Sequence, residues 1–311
     1  MGSELRTDQI QIDRSEQYRE TLKEHWFSLL LVLPILLLII AVLWLPFLRG
    51  VWISLHHWTS AGKQSWVGLG NFQYLWQWEA FWVGLRATVV YGMSTVIQLV
   101  LALAAAMLLW NMERFKGILS GIFLLPYTMP QVVTGTIWMF LLEPNFGPVF
   151  TILVEHGVLE KAIAWPSQGN AALAVVTLVA GWTFWPFMFL IFIATLESLP
   201  EEYYEAARIY GANRWQSFVR ITLPQLKSAI LVAVSLRVIW NFSKVAQPLQ
   251  MTGGGPGFDT SLLPILMYRI AFSNFRLGRA YAVGIVLLLL VIGFAFLFIR
   301  EFERQSGDIQ L

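Results

Sequence analysis

Four side chains able to hold a polar solute sit in an otherwise apolar stretch, LKSAILVAVSLRVIWNFSKVAQPL, residues 226–249. Arg237, Trp240, Asn241 and Lys244 follow an i, i+3, i+4, i+7 spacing, which puts them on one face of a helix. A cation and an amide can hydrogen-bond hydroxyl groups, and an indole can stack on the apolar face of a sugar ring. Cations within hydrocarbon cost about 2.5–3.5 kcal/mol each on insertion scales, so they need a polar cavity or a partner. A second reading stays open, in which Lys244 reaches the outer interface and Arg237 pairs with a neighbouring subunit. A further set lies upstream. Trp182, Thr183, Phe184 and Phe187 surround Pro186 in GWTFWPF, and Gln131 follows Pro130. Pro186 frees a backbone carbonyl and is expected to bend its helix. Each aromatic there is equally read as helix packing or lipid contact, and Gln98 as a hydrogen bond across helices.

The elements that must position these residues are membrane spans. The chain has 311 residues, 57% apolar and only 13% charged, with mean hydropathy +0.62. A soluble globule is about 45–50% apolar and about 25% charged, so this chain lacks the polar surface to cover itself. It reads as an all-α polytopic membrane protein with six spans near 26–48, 83–109, 117–141, 172–196, 227–248 and 280–299, each long enough to cross about 30 Å of hydrocarbon. Residues 26–299 are then the transmembrane domain. Residues 1–25 form a mixed-sign polar segment and 300–311 a tail. No small-residue cleavage site follows the first span, so it reads as retained.

Six spans put both ends on one side. Twelve Lys and Arg lie on that side and seven on the other, Arg269, Arg276 and Arg279 among the seven. The positive-inside rule therefore makes both termini cytoplasmic. The net charge of +2 gives no reason to expect nucleic acid, and the absence of Cys excludes disulfides and thiolate metal sites. His25, His56, His57 and His156 lie near ends or in loops without metal-ligand spacing, and no acid cluster suggests catalysis. No catalytic residue and no metal site is assigned.

Between the fourth and fifth spans, residues 197–226 carry the polar run EAARIYGANRWQSFVRITLP. Ser198, Pro200 and Glu201 suggest a capped helix from Pro200 to about Tyr210, ended by Gly211 as a left-handed terminator. Asn213 and Gln216 offer a second capping box, with Pro224 closing the unit. Small residues at Ala206 and Ala207 make the first helix slim enough to enter a groove on another protein. A solvated connector fits these features as well.

Glu205-Ala206-Ala207, Gly211-Ala212, Phe218, Ile221 and Leu223-Pro224 resemble the EAA loop of permease subunits of binding-protein-dependent ABC importers. One position departs, since the family commonly has Asp before the glycine and this chain has Tyr210. FLLPYTMP (123–130), LLEPNFGPV (141–149), GWTFWPF (181–187) and MTGGGP (251–256) are similar to segments of the maltose-type subunit of sugar importers. The resemblance implies a type I ABC importer permease fold with a cytoplasmic coupling helix. It implies ATPase docking through Glu205, Ala206, Ala207, Gly211 and Ala212, and a substrate pathway at Arg237, Trp240, Asn241, Lys244, Thr183, Phe184, Phe187 and Gln131. The chain has no G-x-x-x-x-G-K-[ST], so ATP and Mg are expected on separate ATPase subunits and no cofactor on this chain.

The expected partners are a second permease subunit, two copies of the ATPase, an extracytoplasmic binding protein and lipid. The expected solute is a sugar or related polyhydroxylated compound, and the expected location a prokaryotic inner membrane. Arg237 and Lys244 keep open an anionic solute such as a glycerol phosphate or a uronate oligosaccharide. A channel or secondary transporter acting without ATP is the remaining transport alternative, and a membrane enzyme ranks last.

Overall fold

In the computed structural model, Trp26 and residues 30–59, 61–62, 64–112 and 114–307 are described. The expected N-terminal segment 1–25 and residues 308–311 of the expected tail lie outside them. The chain divides into two compact units, Met1–Trp52 and Ile53–Leu311. In the first, the helix that begins at Leu30 holds Leu, Ile, Val and Trp side chains exposed along its length, as lipid contact requires. It runs on to Ser54, past the expected end at 48 and through Gly50.

The second unit is built around a second span, Glu79–Trp110, and a fourth, Gly169–Glu197. These two pack most extensively, burying Ala102, Ala105 and Ala106 of one and Ala172, Ala180 and Gly181 of the other. Lipid gives helices no hydrophobic reason to associate, so small residues that admit close approach carry the contact. A Cβ on Gly181 would lie 2.6 Å from Ile97 Cγ2. Pro186 lies inside the fourth helix, which is continuous through it.

The expected third span, 117–141, is not one helix. Lys116–Thr128 and Gln131–Leu141 meet at 94°. The cause is Pro130, which denies Met129 the helical region; Met129 adopts ψ 139° and Pro130 ψ 134°.

The expected fifth span, 227–248, also differs at both ends. Its helix starts at Arg214 and ends at Phe242, followed after a break by Ala246–Thr252. Pro224 therefore does not close the loop but lies within a continuous helix. A proline lacks the N–H and crowds the carbonyl four residues back. The turn just before it, Phe218–Thr222, is widened to π-helix. The sixth span belongs to the helix Leu277–Gly307, longer than the expected 280–299.

Outside the spans, a two-stranded antiparallel hairpin pairs His56–Trp58 with Gln64–Trp66. The MTGGGP turn is tied down by side chains. Arg269 donates to the Gly253 carbonyl and to Ser261 Oγ, and Thr260 Oγ1 donates to the Gly255 carbonyl at 2.7 Å.

Candidate coupling loop and solute pathway

The loop between the fourth and fifth spans is a helix–turn–helix. Its first helix is Glu202–Ile209, and its expected N-cap, Ser198, does not cap it. Ser198 Oγ instead donates to the Thr195 carbonyl at 2.7 Å and closes the preceding span. At the other end the expected terminator is in place. Gly211 has φ +76°, a left-handed conformation that costs a side-chain-bearing residue about 1–2 kcal/mol. The Gly211 amide donates to Arg208 O and the Ala212 amide to Ala207 O. Asn213 and Gln216 form the expected capping box, with bonds of 2.8 and 2.9 Å.

Tyr204 fastens this loop to the spans. Its ring packs on Trp110 at 4.8 Å between centroids, and its hydroxyl lies 3.1 Å from Thr222 Oγ1. The far side is bare. Glu205 and Ala206 are exposed, Ala207 and Ala212 half-buried, and Ile209, Tyr210 and Trp215 are 84%, 90% and 70% exposed. Apolar side chains so exposed at a turn mark a contact surface.

The polar residues of the fifth span separate into two groups. Arg237 and Asn241 are fully buried inside the chain. Arg237 Nε donates to Gln98 Oε1 at 2.7 Å and Nη2 to Asn241 Oδ1 at 2.7 Å. Asn241 Nδ2 donates to Thr95 Oγ1 at 2.9 Å and Ser94 Oγ at 3.2 Å. This network joins the second and fifth spans. Gln98 does bond across helices, through Arg237 and the Ala180 carbonyl at 3.4 Å.

Trp240 and Lys244 make up the second group and are half-buried. Trp240 packs against Phe187 with ring centroids 4.8 Å apart and planes tilted by 60°, and Tyr127 lies 6.3 Å from Phe187 and 6.5 Å from Phe184. The Phe184 ring carries Arg237 at 4.7 Å and Lys244 Nζ at 4.6 Å, both within cation–π range. The Lys244 amide donates to Asn241 O at 3.3 Å, but among the described residues its Nζ has no hydrogen bond or ion pair. It sits past the helix end at Phe242, so the single helical face expected for four residues holds for three.

Thr183 is buried; its hydroxyl donates to Val179 O and accepts from Gln247 Nε2 at 2.7 Å. Gln131, half-buried, opens the helix after the Pro130 break. The structure thus gathers Arg237, Trp240, Lys244, Phe184 and Phe187 with Tyr127, and ties Thr183 to Gln247. Sequence reasoning passed over Tyr127, Gln247, Ser94 and Thr95. Tyr127 lies in FLLPYTMP and Gln247 just past the break, but neither has a spacing that flags it. No cluster of three or more His, Cys, Asp or Glu among the described residues can hold a metal.

Residues 98–302 match the family described as the binding-protein-dependent transport system inner membrane component. The trehalose/maltose transport system permease protein of Thermococcus litoralis is 30% identical over 290 residues, covering 91% of this chain and 96% of that protein. The diacetylchitobiose uptake system permease protein of Streptomyces coelicolor is 29% identical over 247 residues, 78% of this chain and 75% of that one. In fold the chain is similar to one in the crystal structure of a bacterial alginate ABC transporter in complex with alginate pentasaccharide-bound periplasmic protein. That likeness has a TM-score of 0.79 at 19% identity, over 92% and 97% of the two chains. The chain belongs to this family of inner membrane transport components.

Proposed function

We propose, from that membership, that this permease forms with a second permease subunit the pathway of an ATP-driven sugar importer. A binding protein delivers the solute from outside, and two ATPase subunits on the cytoplasmic side supply the force. The two termini then lie in the cytoplasm with the loop Glu202–Gln216. Relatives named for trehalose, maltose and diacetylchitobiose transport support a sugar or similar polyhydroxylated solute. Trp240, Phe187 and Tyr127 offer ring faces to such a solute, Lys244 and Gln131 offer donors, and Arg237, Asn241, Thr183 and Phe184 hold this lining in place. ATP and Mg act on the ATPase subunits and this chain does no catalysis.

The observation that carries the reading is the loop itself. A short helix with a bare, apolar tip is fastened by Tyr204 to two spans, and a tight turn at Gly211 joins it to the helix Arg214–Phe242 that carries the fifth. Such a part transmits displacement from a docked protein to the pathway. The test is the double variant Glu205→Lys plus Gly211→Pro in the assembled complex. It should lose ATPase-subunit binding and solute-stimulated ATP hydrolysis; unchanged binding and coupling would show that the loop has another role.

A further inference from the structure

We propose that the cavity behind the coupling helix binds a phosphodiester, and that its occupant is the head group of an anionic phospholipid. The inference rests on the loop being the ATPase-facing end of the chain, because that places the cavity in the cytoplasmic leaflet.

The cavity, of about 780 Å³, opens between the coupling loop, the end of the second span and the start of the third. Small-molecule sites occupy about 300–1,000 Å³, so a head group with its glycerol fits. Its floor is apolar, formed by Met107, Leu196 and the packed rings of Trp110 and Tyr204.

Five charged side chains face it: Lys116, Arg208, Arg214, Glu197 and Glu201. Lys116 Nζ and Glu197 Oε1 are 2.5 Å apart and neutralise each other. Arg208 and Arg214 form no ion pair among the described residues, and Glu201 is the one further negative charge in the lining. One positive charge is left over, equal and opposite to the single charge of a phosphodiester. Arginine's planar fork suits phosphate oxygens.

Depth selects the source. Trp110 ends one apolar helix and Lys116 begins the next, so the mouth lies at the level of lipid head groups. Anionic phospholipid is concentrated there, and basic pockets between spans on that side are suited to it. A soluble phosphate shares the charge but leaves the apolar floor uncovered. A ligand seated here touches both Trp110 and Tyr204, the joint through which the coupling helix is fastened. Occupancy stiffens that joint, so anionic lipid raises the efficiency with which ATP hydrolysis drives transport.

The test uses the assembled complex in nanodiscs of phosphatidylcholine with or without phosphatidylglycerol, with retained lipid counted by native mass spectrometry. The wild type should retain phosphatidylglycerol selectively. Two cations near an anionic head group contribute a factor of roughly thirty in affinity, so Arg208→Ala plus Arg214→Ala should weaken retention about thirtyfold. Met112→Trp, which fills the cavity without touching the docking surface, should do the same should the double variant disturb the loop. Undiminished retention in both variants overturns the proposal. Displacement of the retained lipid by inorganic phosphate overturns the lipid assignment. Bound ATPase is scored in the same spectra: a wild type that retains its ATPase but shows no preference for phosphatidylglycerol sinks this inference alone, whereas ATPase binding indifferent to Glu205→Lys plus Gly211→Pro sinks the reading of the loop.

Discussion

Replacing Gln98 by leucine separates two roles for Arg237, a solute ligand and a pillar between spans. Gln98 Oε1 accepts from Arg237 Nε at 2.7 Å, and both residues are fully buried. Leucine removes that acceptor and leaves a guanidinium donor without its partner. Breaking one partner of a buried charged contact costs about 3–5 kcal/mol, and a hydrogen bond to a charged group contributes about 1.5–3 kcal/mol. The lower range applies here, because Asn241 Oδ1 at 2.7 Å and the Phe184 ring at 4.7 Å still hold the guanidinium. Gln98→Leu should therefore destabilise by about 2–3 kcal/mol.

Arg237→Met removes a charge whose insertion costs about 2.5–3.5 kcal/mol, but it orphans Gln98 Oε1 and Asn241 Oδ1 at about 1–3 kcal/mol each. The two effects oppose each other, and the net lies between a gain of about 1.5 and a loss of about 3.5 kcal/mol. In the double variant only Asn241 Oδ1 lacks its donor, so the double should be less destabilised than the sum of the singles by at least about 2 kcal/mol. Thermal unfolding of the solubilised complex across the four-variant cycle measures this, with transport KM beside it. A ligand role gives the opposite pattern: Gln98→Leu leaves stability unchanged, and Arg237→Met raises KM at constant Tm. Additivity of the two changes within about 0.5 kcal/mol would refute the pillar.

Gly181→Val forces a Cβ to within 2.6 Å of Ile97 Cγ2 and should lower stability by about 1–3 kcal/mol in the same thermal assay. Gly121→Ala, in a helix and with nothing within 4 Å, should not destabilise and should add about 0.4–1 kcal/mol. Tyr210→Ala should leave Tm unchanged, since the side chain is 90% exposed, while weakening ATPase binding by about 2 kcal/mol as an interface anchor does. Retained affinity in a pull-down titration would show that the tip does not dock. Asn213→Ala removes a cap worth about 1 kcal/mol and should reduce ATPase affinity modestly through fraying of the turn, read in the same titration.

The spans were legible because hydrocarbon leaves the backbone one local solution, and an apolar run of sufficient length declares it. The left-handed Gly211 and the Asn213–Gln216 box were legible because caps are local chemistry. What sequence periodicity missed were the consequences of tertiary packing and of prolines. Pro130 breaks a span while Pro224 and Pro186 do not, since a π-turn or surrounding helices absorb the latter two. Ser198 fits a capping pattern yet bonds backward, because it sits in the last turn of the fourth span, where the Thr195 carbonyl takes both its amide and its hydroxyl. The i, i+3, i+4, i+7 rule grouped Lys244 with Arg237 without foreseeing that the helix stops between them. Pairing of Arg237 with Gln98, 139 residues away, has no local signature at all.

The uninterrupted helix through Pro224 makes a mechanical claim that can be tested by itself. Arg214–Phe242 comprises 29 residues, about 43 Å of rod with the coupling turn at one end and Trp240 near the other. If the loop's displacement reaches the pathway along this rod, a break in the rod should uncouple without undocking. Ser228 is exposed and lies about 18 Å along the axis from Trp240, so its replacement touches neither the docking surface nor the aromatic cluster. Ser228→Pro deletes one backbone hydrogen bond and crowds the Pro224 carbonyl, at a cost of about 3 kcal/mol. Ser228→Ala leaves the rod intact. The proline variant should bind ATPase subunits like the alanine variant and hydrolyse ATP, but the hydrolysis should no longer respond to the solute-loaded binding protein. Solute-stimulated turnover equal in the two variants would show that force travels elsewhere, with the Tyr204–Trp110 contact onto the second span the next route to cut.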